Sequence, residues 1–206
     1  MAFKLLKPGT LLAPVPAVLI GSGRKTEHGT ETNVMTAAWA GTVCTHPPMF
    51  SVSIRPERYS YALILESGEF TVNLTTRSLL RATDLCGVIS GRDQDKWARS
   101  GLTPVEASQL EYAPAVAESP LYLGCKVRHT IPLGSHTLFI GEAVSMGVDE
   151  KLMDEKGTLH LERAQLIAYS HGSYLGLTEA LGFFGYSVAS PAVLKRRSRG
   201  RNPYSS

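Results

Sequence analysis

Short alternating runs cut apart by glycine and proline restrict this chain more than any other feature. Residues 49–54 (MFSVSI) alternate Phe50, Val52 and Ile54 against Ser51 and Ser53, and residues 69–74 (EFTVNL) repeat the pattern with Phe70, Val72 and Leu74. Such alternation buries one face of a strand and leaves the other to solvent. Residues 121–131 and 136–148 flank Pro132-Leu133-Gly134-Ser135, a segment of turn formers, and read as a hairpin. Residues 16–21, 33–45 and 165–170 read as further strands, and 22–32 (SGRKTEHGTET) as a polar loop. Helical patterns are short. One covers 58–66 and ends at Ser67-Gly68; one covers 78–86 with Ser78 as N-cap; a third is opened by Asp93-Gln94-Asp95 and runs through Trp97. The long alternation of strand and helix that a parallel sheet requires is missing. The expected class is mainly β, a small antiparallel β-barrel with short helices.

Size and composition fit one core. The 206 residues are 43% hydrophobic and 19% charged, which excludes a collagen-like or largely disordered chain. Residues 1–188 are expected to form one domain. The net charge of +3 comes from one terminal run, Lys195, Arg196, Arg197, Arg199 and Arg201; without it the rest of the chain is slightly acidic. A nucleic-acid binder carries its basic face on the fold. Here the charge sits at the end, so 189–206 is expected as a basic, disordered tail, and nucleic acid is not an expected partner. No apolar run of about 18 residues exists to span a membrane. Lys4, Lys7, Pro8, Pro14 and Pro16 break up the apolar stretch of a secretory signal, so the cytoplasm is the expected location. Cys44, Cys86 and Cys125 are widely spaced and form neither a disulfide framework nor a zinc pattern; they read as buried reduced thiols. The histidines include no H-x-x-x-H pair, and no metal is expected.

Several motifs fail on inspection. Gly21-Ser22-Gly23 lacks the third glycine of a dinucleotide fingerprint, since Thr26 stands there. Arg24 occupies the glycine position that a phosphate-binding loop requires before Lys25-Thr26. Residues 51–60 (SVSIRPERYS) survive. A strand ends, Arg55 and Arg58 follow, and a helix starts near Ser60. Helix N-termini expose free N–H groups and a partial positive charge, and arginine and serine add donors, so this junction is a candidate phosphate site. Residue chemistry alone favours a solvated turn over a phosphate site. Residues 33–39 (NVMTAAW) add Asn33 and Thr36 as hydrogen-bonding groups, Met35 and Trp39 as polarisable surface, and Ala37 and Ala38 for close backbone approach. That mixture suits a flavin ring, or simply a strand.

Taken together, these segments resemble the flavin reductase-like, FMN-binding split-barrel family, and in particular its flavoredoxin-type branch. The likeness runs in order through residues 33–39 (NVMTAAW), 48–60 (PMFSVSIRPERYS), 67–73 (SGEFTVN), 86–97 (CGVISGRDQDKW), 134–142 (GSHTLFIGE) and 181–186 (LGFFGY). It implies a six-stranded antiparallel Greek-key split barrel, a homodimer, and FMN near the subunit interface. Residue by residue, it implies that Asn33, Met35, Thr36 and Trp39 contact the ring and ribityl chain, with Ser53 and Ile54 beside them. It implies Arg55, Tyr59 and Ser60 on the phosphate. Ser90, Gly91 and Lys96 would close over the cofactor, and Tyr174 would approach the ring from the neighbouring subunit. His136 is the implied catalytic residue; it lies where the family reads G-D-H, and Ser135 replaces that carboxylate. Trp97 is expected in the core. The implied activity is NAD(P)H-dependent reduction of flavin or ferric iron through FMN, or of a redox partner protein. The alternative is a non-enzymatic FMN electron carrier.

Overall fold

The structure is a computed structural model that describes residues 2–177 and 180–198. Contacts divide the chain into two units, Met1–Gly176 and Leu177–Ser206, each taken here by itself. In chain order the first unit holds β1 (Val15–Pro16), β2 (Val18–Thr26), β3 (Gly29–Ala37), β4 (Ala40–Cys44), β5 (Met49–Ile54), α1 (Tyr59–Ser67), β6 (Glu69–Leu74), α2 (Leu80–Val88), α3 (Lys96–Ser100), β7 (Pro104–Val105), β8 (Ala115–Val116), β9 (Leu121–Pro132), β10 (Thr137–Val148), β11 (Ile167–Ser170) and β12 (Ser173–Gly176).

One seven-stranded sheet dominates, in the order β3-β2-β6-β9-β10-β5-β4, with every pairing antiparallel. Its two edge strands, β3 and β4, are joined only by Ala38 and Trp39. A flat sheet of that width would hold its edges roughly 28 Å apart at about 4.8 Å per strand, whereas so short a connection reaches about 11 Å. The sheet must therefore roll into a barrel, with its seam where β3 hands over to β4. This is the split-barrel class the sequence predicts, with seven strands in the sheet rather than six.

The barrel interior is filled by the alternating residues. Val18, Ile20, Met35, Val52, Ile54, Phe70, Val72 and Phe139 form one buried cluster. The opposite face of β2 and β3 supplies Leu19 and Val34 to a second cluster with Leu79, Cys86, Trp97 and Leu102. Strand β2 is thus buried on both faces, and Trp97 lies in the core as expected.

Three local readings need correction. The expected loop 22–32 is the body of the β2–β3 hairpin, with Ser22 opposite Asn33 and Arg24 opposite Glu31. Its residues are small or polar because the 112–114 segment crosses them. A Cβ on Gly21 would lie 2.0 Å from the Pro114 carbonyl oxygen, and one on Gly23 2.1 Å from that of Tyr112. The expected strand 33–45 is interrupted at the seam. The helix expected at 78–86 spans Leu80–Val88; Ser78 does not cap it, because its hydroxyl bonds Thr76 Oγ1 at 2.8 Å. The β9–β10 hairpin forms as predicted, and Gly68 ends α1 in the left-handed conformation at φ 68°.

In the second unit, residues 186–188 form a short 3-10 turn and Pro191–Ser198 a helix, α4. The tail was expected to be disordered; residues 199–206 of it lie outside the described residues. Among the described residues, no helix is long and apolar enough to cross a membrane, and no group of His, Cys, Asp or Glu could hold a metal. The three cysteines are free, with Cys44 half-buried rather than buried.

Candidate functional site

A cleft opens at the seam of the barrel. One end, about 370 Å³, is walled by Met35, Thr36, Trp39, Ser53, Ile54, Arg55, His136 and Tyr174. Met35, Arg55 and Arg58 are shared with a second hollow of about 580 Å³, which adds Asn33, Tyr59, Ser60, Ser90, Gly91 and Lys96. Every residue singled out from the sequence therefore lies on one continuous cleft. Each hollow falls within the range of about 300–1,000 Å³ usual for small-molecule sites.

The second hollow carries three cationic side chains, Arg55, Arg58 and Lys96, and one carboxylate, Glu57. Strand β5 ends at Ile54, and α1 starts at Tyr59 with no side chain capping its first turn. Ser60, fully buried in that turn, accepts hydrogen bonds from Asn33 Nδ2 and Ser22 Oγ, both at 2.9 Å. The Ser22 hydroxyl also lies 3.3 Å from the Asn33 carbonyl, so its single hydrogen serves one of the two acceptors. Asp95 caps α3 by accepting from the Trp97 and Ala98 backbone N–H groups at 2.9 and 3.3 Å, and the Trp97 indole N–H donates to Thr32 Oγ1 at 3.1 Å. These bonds fix Lys96, which is only 4% exposed and whose ammonium donates to the Cys86 carbonyl at 2.7 Å. No carboxylate is ion-paired with it among the described residues, although Glu57 lines the same hollow, and burial lowers its pKa from 10.5 to about 8. A buried cation with one neutral acceptor is costly unless an anion joins it. A phosphate group fits that requirement.

Gly91 lets the loop after α2 lie flat on this hollow. A Cβ there would sit 2.3 Å from Asn33 Oδ1 and 2.8 Å from Tyr59 Cδ1. Ser90 Oγ accepts from the Arg92 backbone N–H at 3.2 Å. The Tyr59 hydroxyl, expected on the phosphate, instead donates to Glu31 Oε1. Burial, then that bond, raises the phenol pKa, while the same bond is the main force lowering Glu31. Tyr59 thus faces the hollow with its ring. The Arg55 guanidinium is exposed at the rim and has no partner among the described residues.

The other end is less polar. Ile54 and Met35 form its floor, and Trp39 stands half-exposed at the seam. The Thr36 hydroxyl is committed to the Thr83 carbonyl. His136 lies at the tip of the β9–β10 hairpin, with Nδ1 2.9 Å from Ser135 Oγ. Tyr174, expected from a neighbouring subunit, walls the cleft of its own chain. Its hydroxyl donates to Asp84 Oδ1 at 3.2 Å, and burial, then Asp84, pushes its pKa up to about 12.

The family model described as "Flavin reductase like domain" matches residues 12–177. The chain belongs to the flavin reductase-like family. Flavoredoxin of Desulfovibrio vulgaris (Miyazaki F) is similar in structure, with a TM-score of 0.79 at 34% identity, covering 88% of this chain and 97% of that one. An uncharacterized protein of Archaeoglobus fulgidus is 34% identical over 145 residues, 70% of this chain and 78% of its own length. The reductase component of a 4-nitrophenol 4-monooxygenase/4-nitrocatechol 2-monooxygenase from Rhodococcus opacus is 28% identical over 109 residues, 50% of this chain and 51% of that one.

Within this flavin reductase-like cleft the structure also places residues that sequence reasoning missed. Asp84, Gly87 and Val88 come from one face of α2, at the i, i+3, i+4 spacing of a helix; that period, read against the cleft, was the available signal. Arg58 donates to the Gly87 carbonyl at 3.2 Å and ties α1 to α2. Tyr169 and Gly172 come from the β11–β12 hairpin, and no local signal marked them.

Proposed function

We propose that this protein binds FMN in the seam cleft and acts as a homodimeric, NAD(P)H-dependent flavin or ferric reductase. Cytoplasmic action accords with its three free thiols. The observation that carries the reading is Lys96, a buried lysine beside an open hollow that also presents the Ser60 hydroxyl and the uncapped N-terminus of α1. Lys96, Ser60 and that first turn hold the phosphate, with Arg55 reaching over it from the rim. Met35, Arg55 and Arg58 line both hollows and so border the passage between them, while Asn33 and Gly91 wall the phosphate end. Met35, Ile54 and Trp39 give the ring its apolar contacts, and Ser53 and Thr36 lie beside it. FMN would supply the electron-transfer chemistry there; the chain binds, orients and tunes it. His136, with Nδ1 2.9 Å from Ser135 Oγ, is the imidazole that lines that end. Homodimer formation would cover exposed apolar side chains such as Leu181 and Phe184.

The flavoredoxin likeness favours a second reading, an FMN electron carrier with a redox partner protein; the Rhodococcus relative points to an oxygenase as one such partner. Anaerobic stopped-flow absorbance separates the two. Saturable bleaching of the flavin band by NADPH or NADH is the expected result. Bleaching by dithionite alone, with both nicotinamides inert, leaves the carrier.

A further inference from the structure

A third hollow, about 260 Å³, lies outside the ring end of the cleft and shares Trp39, Tyr169 and Gly172 with it. Its far wall is the extended segment before β1, through Leu11, Leu12 and Ala13. Strand pairing fixes the arrangement. Val15 and Pro16 of β1 lie opposite Tyr169 and Ala168 of β11, which docks the segment beside the Tyr169 ring. Tyr169 is held in turn by an edge contact with Tyr174, ring centres 5.4 Å apart. The β11–β12 turn, with His171 at φ 44° and Gly172 at φ 88°, closes the opposite side.

The lining differs in kind from the rest of the cleft. No Lys, Arg, Asp or Glu contributes to it, whereas the neighbouring hollows carry Arg55, Arg58, Asp84 and Lys96. Leu11 is 61% exposed, Leu12 86% and Trp39 46%, so the hollow is bordered by exposed apolar surface. Apart from Thr10 and His171, the lining offers a charged or phosphorylated molecule little to replace its hydration. An uncharged flat ring would recover the apolar contact. The volume suits a one- or two-ring molecule and is small for a dinucleotide.

We propose that this hollow is a second-ligand subsite that takes an uncharged planar ring, of the quinone or enone type, and sets it against Trp39 at the edge of the flavin ring's place. The proposal rests on the flavin reading above for what lies on the other side of Trp39.

The test uses menadione as the probe with the FMN-loaded full chain, by equilibrium dialysis without reductant. Saturable binding is expected, with Leu11→Asp/Leu12→Asp weakening it at least about tenfold and FMN content unchanged. 1,2-Naphthoquinone-4-sulfonate should bind at least about tenfold more weakly than menadione. Unchanged menadione affinity in the double variant, or equal affinity for the sulfonated quinone, overturns the subsite. So does light scattering that shows the double variant turned from dimer to monomer with menadione binding intact, which makes the segment a contact between copies. If the wild type binds menadione in this Leu-dependent way yet holds no FMN, the subsite stands and the flavin reading fails.

Discussion

Lys96 carries the sharpest residue-scale consequence. Its pKa in the folded protein is about 8 against an ordinary 10.5, so between those values the unfolded chain binds more protons. The stability of the flavin-free protein therefore rises as pH climbs from about 8 to 10.5, and below 8 the cost of burying the ammonium is fully present. Lys96→Met should leave the flavin-free protein at least as resistant to urea at pH 7 as the wild type. A bound phosphate reverses the preference and keeps the proton. FMN affinity should fall about tenfold between pH 7 and pH 9, while riboflavin affinity stays flat; calorimetric titration at the two pH values reads both. The sequence singled out Lys96 through its neighbours, but its burial depends on Cys86 and on the placement of α3, which no local pattern reveals. The committed hydroxyls of Tyr59 and Thr36 were hidden for the same reason, since their partners Glu31 and Thr83 are distant in the chain.

Elements were legible where apolar and polar residues alternate, even in β6, whose two faces are both buried, and illegible where they do not. Strands β5 and β6 and the β9–β10 hairpin announce themselves by alternation and turn residues. Strand β2 does so only in its first part, read as 16–21; at the end of that part and beyond it, backbone carbonyls of 112 and 114 press on Gly21 and Gly23, and the small residues there mimic a loop. The same close packing makes Gly91 a test of the loop that roofs the anion hollow. Gly91→Ala forces Asn33 and Tyr59 apart, and overpacking of this kind costs about 1–3 kcal/mol; urea unfolding should show a loss of that size together with weaker FMN binding. A separate loop has a pH window of its own. His160 Nε2 lies 3.0 Å from Asp154 Oδ2 and its Nδ1 2.9 Å from Glu162 Oε1. Asp154, then Glu162, raises the imidazole above 6.5, and His160, then the Thr158 backbone N–H, depresses Asp154 to about 2. The imidazole's contribution is complete below its ordinary value and is lost as pH rises through the raised one. The Asp154 contribution is lost as pH falls toward about 2. Amide hydrogen exchange across 154–162, corrected for intrinsic rates, should be slowest between about pH 4 and 6.5 and faster on either side; His160→Ala should remove the rise on the alkaline side.

At the scale of the molecule, the short strands, turn residues and short helices were enough to exclude a parallel α/β sheet and to reach a β-barrel. The closure was not legible. It follows from a two-residue link between the edges of one sheet, and the residues 33–45 that hold it read as a single strand. That seam is also where the cleft opens, so the same feature that hid the seventh strand positions the site. The apolar side chains left exposed at Leu181 and Phe184 predict a homodimer, and light scattering at micromolar concentration should report twice the chain mass. The central claim is that the cleft holds FMN by its phosphate, and parallel fluorescence titrations of one preparation with FMN and riboflavin test it most directly. The account predicts that FMN binds roughly 10- to 150-fold more tightly, the range of one charge-assisted contact of about 1.5–3 kcal/mol, and that Lys96→Met erases most of the difference. Equal affinity for the two flavins in the wild type would contradict it.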